Sequence, residues 1–266
     1  MSFASGPLAE FLKAHVAIVR VTITGVQGSA PRDVGTEMFV ASEAFWGTIG
    51  GGRLEHLCLD AARKMLTTGS TQDQLDVALG PEIGQCCGGR VTLSLNQMTS
   101  DDKMEAAQRA EHDMQALPHV YVFGAGHLGR ALANQFQHLP VKCILIDTRP
   151  DEIGLNTAAV DTRPTPLPEA DIRAAPPGSA YVVATHDHAL DFLLSDAALS
   201  RGDAAYVGMI GSSTKRAKFK AWVQTHGDGH GTDALICPIG SARPKDKRPS
   251  VIAAFVVAEV MRELAN

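Results

Sequence analysis

Residues 119–147 read HVYVFGAGHLGRALANQFQHLPVKCILID. An apolar, aromatic and β-branched run at 119–123 meets a glycine turn. A helical pattern follows over 126–138, then a second apolar run over 141–146 that closes on an acid, Asp147. Strand, turn, helix and strand make the unit from which right-handed crossovers and parallel sheets are built. Gly124, Gly126 and Gly129 stand in G-x-G-x-x-G register. The first glycine allows the tight turn, the second lets backbone approach a pyrophosphate, and the third permits close helix–strand packing. The free N–H groups opening the helix face the anion. Asp147, 18 residues beyond Gly129, is expected to bond ribose hydroxyls and to disfavour a 2′-phosphate. The segment therefore predicts a Rossmann-like domain. Whether NAD or another nucleotide binds there is a separate matter, because a fold does not fix a ligand.

The pattern continues toward the C-terminus. Runs at 180–185 (AYVVAT) and 204–210 (AAYVGMI) read as strands, each followed by a helical stretch, and a last helix spans about 249–264 with Pro249 in its first turn. His186, Asp187 and His188 lie at the carboxyl end of the first run, where doubly wound sheets take ligands. Two histidines and an acid suit a metal or a proton relay, with Asp191 the nearest addition, while Asp187 equally suits a helix N-cap. Lys215, Arg216, Lys218 and Lys220 follow the GMIGS turn as a phosphate-holding or solvated basic face.

Toward the N-terminus the grammar differs. A β-branched run at 16–26 ends in the turn GSAPRDVG. Short strands are expected at 37–41 and 44–49, then Gly50-Gly51-Gly52 opens a helix whose Leu54, Leu57, Cys58, Ala61 and Met65 share one face. Strands at 74–79 and 90–95 are joined by GPEIGQCCGG. Residues 98–118, polar and charge-rich, read as a linker, either an amphipathic helix or a partly ordered connection. The expected organisation is a small N-terminal α/β domain over 1–97, a linker over 98–118, and the Rossmann-like parallel-sheet domain over 119–266.

Three loops of the N-terminal domain carry candidate chemistry. Gln85, Cys86, Cys87, Gly88 and Gly89 form a backbone-rich turn in which a thiolate would serve as metal ligand or sulfur acceptor, its pKa lowered by Arg90 and free N–H groups. The C-x-x-C spacing of a zinc site is missing. Gly50, Gly51 and Gly52 offer an anion cradle at a helix start. Ser29 and Arg32 supply a hydroxyl and a guanidinium able to grip a phosphate. Convergence of the three on one pocket is the expectation.

Composition narrows the class. Lys and Arg total 24 against 29 Asp and Glu, a net charge of −5, and aromatics are 5%. That balance opposes general nucleic-acid binding, which depends on neutralising phosphates and stacking bases. No apolar run approaches a membrane span, and residues 1–21 lack the pattern of a secretory leader. Five cysteines, Cys58, Cys86, Cys87, Cys143 and Cys237, two of them adjacent, are not a disulfide framework and point to a reduced cytoplasm.

Six blocks in order carry a resemblance over nearly the whole length: QGSAPRDVGTEMFV (27–40), GTIGGGRLEH (47–56), LGPEIGQCCGGRVTL (79–93), VFGAGHLGRALA (122–133), ATHDHALD (184–191) and GMIGSSTKRAKF (208–219), with CPIG at 237–240. The chain resembles the XdhC/CoxI family of accessory proteins of bacterial xanthine dehydrogenase. The resemblance implies a chaperone rather than an enzyme. It would bind molybdenum cofactor in its molybdopterin form, shield it, support its sulfuration with a cysteine desulfurase as partner, and pass it to apo xanthine dehydrogenase. The family's functional cysteine carries over to Cys87, with Cys86 second, and Gln85, Arg32 or Glu55 would bond the pterin edge. Where the family usually has an acidic turn before its last helix, this chain has ARPKDKRPS at 242–250. A homodimer is expected from the prevalence of such assemblies. Two rival classes are an NAD-dependent oxidoreductase built on the C-terminal domain and a metal-dependent hydrolase using His186 and His188.

Overall fold

The computed structural model describes residues 7–80, 88–226, 231–240 and 246–265. The chain divides into two compact units, residues 1–116 and 117–266.

The first unit runs α1 (Pro7–Ala14), β1 (Val19–Gln27), β2 (Glu37–Val40), β3 (Phe45–Gly47), α2 (Gly52–Thr68), β4 (Gln72–Ala78), β5 (Arg90–Gln97) and α3 (Ser100–Gln115). Its sheet has the order β3-β2-β1-β5-β4, and every described pairing is antiparallel. The connections β1–β2, β2–β3 and β4–β5 are too short for parallel crossovers, which accounts for that pairing. Val19, Val21, Ile23, Leu93 and Leu95 of the sheet pack on Leu54, Cys58, Ala62 and Met65 of α2. The glycine at its end, Gly69, takes φ 76° and its N–H donates to the Met65 carbonyl, closing the helix in the left-handed conformation that glycine adopts without penalty.

The stretch expected as a linker, 98–118, is largely helix α3, one of its two expected forms, and lies inside the first unit. Thr99 and Asp102 cap it reciprocally: the Thr99 hydroxyl oxygen accepts from the Asp102 N–H at 3.2 Å, and the Thr99 N–H donates to the Asp102 carboxylate at 2.8 Å. Ala106 and Ala107 are buried in a cluster with Leu8, Leu12, Ile18 and Phe39. Lys103 is also buried, and its Nζ donates to the carbonyls of His15 and Val16 at 2.8 and 2.7 Å. The helix reads as polar because its inward face is two alanines and a lysine stem, which charge counting does not register as core.

The second unit alternates strand and helix: β6 (His119–Phe123), α4 (His127–Phe136), β7 (Lys142–Asp147), α5 (Pro150–Gly154), β8 (Asp161–Pro164), α6 (Glu169–Ala174), β9 (Ala180–Val183), α7 (His188–Ser200), β10 (Tyr206–Met209), α8 (Ser213–His226), β11 (Leu235–Ile236) and α9 (Pro249–Leu264). The sheet is parallel with order β11-β10-β9-β6-β7-β8. Numbered from β6, this is the 3-2-1-4-5-6 order of a doubly wound fold, reversing between β6 and β9. One layer packs Val120, Val122, Leu145 and Val182 against Leu132 and Phe136 of α4 and Val256 and Val260 of α9. The other sets Tyr121, Phe123, Ile144, Tyr181 and Val183 against Leu194 and Ala198 of α7 and Phe219 of α8. The Tyr206 hydroxyl donates to Glu259 of α9 at 2.6 Å, both residues being buried. Among the described residues no helix is long and apolar enough to cross a membrane.

Candidate functional site

In the first unit, two close approaches bring the three candidate turns together. A Cβ on Gly89 would lie 2.1 Å from the Ser29 carbonyl oxygen and 2.7 Å from that of Gln27. A Cβ on Gly50 would lie 2.4 Å from Cγ of Pro31. The GSAPR turn after β1 is therefore wedged between the glycines before α2 and those before β5. Gly50, Gly51 and Gly52 take φ 125°, 76° and 63° at the start of α2. Such a run of positive φ is open to glycine at little cost. A Cβ on Gly51 or on Gly88 (φ 68°) would meet nothing within 4 Å, so both glycines face open space beside the wedge.

The expected site residues fall into three groups. Ser29 and Arg32 are exposed on the turn, free to reach an anion. Glu55 acts within its own loop. One carboxylate oxygen accepts from the Thr48 hydroxyl at 2.6 Å and the Gly51 N–H at 3.3 Å, while the Gly50 N–H donates to Thr48 Oγ1 at 3.2 Å. It holds the glycine loop in shape. Gln85, Cys86 and Cys87 lie outside the described residues, and the chain re-enters description at Gly88. Arg90 donates to Asp76 across β4 and β5 at 2.7 Å. Two other cysteines are poor nucleophiles: burial first, with nearby Glu55 and Asp161 respectively, pushes the thiols of Cys58 and Cys143 up to about 12.

In the second unit the three motif glycines answer to different demands. Gly124 takes φ 105°, and a Cβ there would lie 2.2 Å from the Ala184 carbonyl oxygen at the end of β9. A Cβ on Gly129 would lie 1.7 Å from the Gly124 carbonyl oxygen. Gly126, at φ −66°, has open space around it. Neither packing nor backbone conformation requires glycine there; as the N-cap of α4 glycine is among the favoured residues, and it also leaves room for close approach by a ligand.

Asp147 is 5% exposed. Oδ2 accepts from the Ala125 N–H at 2.7 Å and Arg149 Nη2 at 3.0 Å; Oδ1 accepts from the Arg149 N–H at 2.9 Å and Nε at 3.0 Å. Burial alone would raise its pKa. The Arg149 side chain, the two backbone N–H groups and the Arg149 charge outweigh that and hold it below the usual carboxylate value. Phe123, Gly124, Asp147, Thr148, Pro168, Thr185 and His186 line a small, shallow cleft at this crevice.

His186, Asp187 and His188 are exposed. Asp187 caps α7, its Oδ1 accepting from the Ala189 N–H at 2.7 Å. Among the described residues no three His, Cys, Asp or Glu side chains gather as a metal ion would need. Asp191 is fully buried and accepts from the Thr185 N–H and hydroxyl at 2.9 and 2.7 Å, and it pairs with Lys215 of α8. It ties the β9 end to α8 rather than extending a metal set. That pairing joins residues 24 positions apart, which local sequence spacing does not reveal.

The model of the XdhC Rossmann domain matches residues 120–260, and that of the XdhC and CoxI family matches residues 11–77. No curated protein matches this chain significantly. Among solved structures, one described as a xanthine dehydrogenase from Bacillus halodurans superposes with a TM-score of 0.81, covering 96% of this chain and 94% of that one at 16% identity. At that identity the likeness is one of fold.

Proposed function

Because the chain belongs to the XdhC family, we propose that it is an accessory protein of xanthine dehydrogenase, not itself an enzyme. It binds molybdenum cofactor in its molybdopterin form, protects it, supports its sulfuration and inserts it into the apo-enzyme. The observation that supports this reading is the wedge in the first unit, where Gly50 closes on Pro31 and Gly89 on Ser29. It sets two glycine loops and an exposed guanidinium side by side, an arrangement suited to a ligand with a phosphate and a flat heterocycle. In this reading Arg32 and Ser29 meet the phosphate, the Gly52 N–H lines the cradle, and Glu55, which accepts from the Gly51 N–H, shapes it. Cys87, with Cys86 as its neighbour, supplies the thiol toward molybdenum or the incoming sulfur. The partners are the apo xanthine dehydrogenase molybdenum subunit and a cysteine desulfurase. The protein works in the cytoplasm as a homodimer.

The test is anaerobic co-purification with molybdenum cofactor. Retention of about one cofactor per chain is expected, with loss of retention or sulfuration in Cys87→Ala while far-UV circular dichroism stays native. A wild-type protein that retains none, or a variant that still delivers sulfurated cofactor to apo-enzyme, refutes the reading. The rival, an NAD-dependent oxidoreductase, predicts turnover of a nicotinamide substrate instead.

A further inference from the structure

The crevice of the second unit carries an inference independent of the cofactor site in the first. The acid at the end of β7, Asp147, suggests by sequence a site that accepts an unmodified ribose and rejects a 2′-phosphate. The side-chain arrangement points the other way. A carboxylate has about four acceptor positions, and four N–H donors already converge on this one: those of Ala125, the Arg149 backbone, and Arg149 Nε and Nη2. A ribose diol that needs the carboxylate must first displace a two-pronged Arg–carboxylate pair, among the stronger contacts a protein makes. Arg149, by contrast, is spent on Asp147 through only part of its guanidinium. Its side chain is 37% exposed, and its Nη1 stands 3.8 Å from Glu152, itself engaged by Arg130 at 2.7 Å. The four charges balance, so the Asp147 charge is neutralised where a sugar would lie, while planar N–H donors suited to phosphate remain available.

We propose that this crevice binds an adenine nucleotide carrying a phosphate on its ribose 2′-oxygen, and that Arg149 is the residue that selects it. The pyrophosphate lies on the open backbone at Gly126, and the sugar lies over the Asp147–Arg149 pair. Asp147 serves to hold Arg149 flat.

The experiment is isothermal titration of the full-length protein with NADP⁺ and NAD⁺ as probes, and competition by 2′,5′-ADP. The wild-type chain is expected to bind NADP⁺ about tenfold or more tightly than NAD⁺, with 2′,5′-ADP displacing it. Arg149→Ala removes the phosphate contact and unseals the carboxylate, so NADP⁺ affinity falls about tenfold while NAD⁺ affinity holds or rises. Arg149→Lys retains part of the NADP⁺ affinity. Absence of binding by both probes overturns the proposal, as does tighter binding of NAD⁺ than NADP⁺ by the wild type. The wild-type comparison stands even if Arg149→Ala fails to fold. None of these outcomes depends on molybdenum cofactor, so a failure here leaves the accessory reading untouched.

Discussion

The Cβ that Gly50 lacks would sit 2.4 Å from Cγ of Pro31, less than a van der Waals contact between carbons. With φ at 125°, the position excludes other residues twice over, by space and by backbone. Gly50→Ala is therefore expected to cost about 2–4 kcal/mol, from backbone strain and overpacking together. Gly51→Ala, at φ 76° with no neighbour in reach, carries the strain alone, about 1–3 kcal/mol. Chemical denaturation of the two variants checks the order. Equal losses would mean that the wedge against Pro31 is slack.

The motif glycines of the second unit separate in the same way. Gly129→Ala places a methyl 1.7 Å from a carbonyl oxygen and is expected to unfold the unit or cost several kcal/mol. Gly126→Ala, in open space at an ordinary φ but at the N-cap of α4, should cost no more than about 1 kcal/mol while weakening nucleotide binding. Melting temperature and titration on the same samples decide it; a Gly126 variant that unfolds, or binds nucleotide undiminished, contradicts the assignment.

Asp147 gives the stability curve an acid limb. Its folded pKa lies below its unfolded value, so its contribution is complete above the ordinary carboxylate pKa of about 3.9 and is lost as pH falls through the folded value. Asp147→Asn should lose about 1–3 kcal/mol at neutral pH and show a shallower decline below about pH 4. Urea melts at a series of pH values report both.

Tyr206 sets an alkaline counterpart. Burial, then its bond to Glu259, raises its pKa well above the ordinary tyrosine value. The contact therefore persists below about pH 10 and weakens only as pH rises through the folded value. Tyr206→Phe leaves the buried Glu259 without that donor and should cost about 1–3 kcal/mol. Hydrogen exchange should rise first in α9. Unchanged protection there would show that the bond does not anchor the helix.

Lys103 tests the reassignment of residues 98–118. Lys103→Met keeps much of the stem and removes both bonds to the His15 and Val16 carbonyls, with an expected loss of about 1–3 kcal/mol. Native α3 should resist limited proteolysis and the variant should be cut within 100–115. Cleavage of the wild type there at the same rate would restore the linker reading.

The second unit was legible because its signals are local and redundant. The glycine spacing, the apolar runs and the alternation all lie within short windows, and β6 and α9 occupy the residues expected of them. β8, only four exposed residues ending in Pro164, and the two-residue β11 carry almost no pattern, so neither is visible before folding. α1 escapes a reading of the sequence, and α3 reads as a linker rather than as part of a core, for a related reason: each acquires its apolar partners only when the chain brings them together. In the site, the turn at 28–32 lies against Gly50 and Gly89, while the cysteines expected beside it lie outside the described residues. The assignments of Arg90 and Asp191 by residue type alone did not foresee their partners, because Asp76 and Lys215 are brought there by tertiary geometry; those of Glu55 and Asp147, Thr48 and Arg149, lie only seven and two positions away and were open to a closer reading of the sequence.

Gly129 abuts the Gly124 carbonyl, and Gly124 in turn abuts that of Ala184. The loop between β6 and α4 thus has no slack on either side. A ligand arriving there meets N–H groups already aimed, and little chain entropy is lost in aiming them. The seat is thus built into the fold before any occupant arrives.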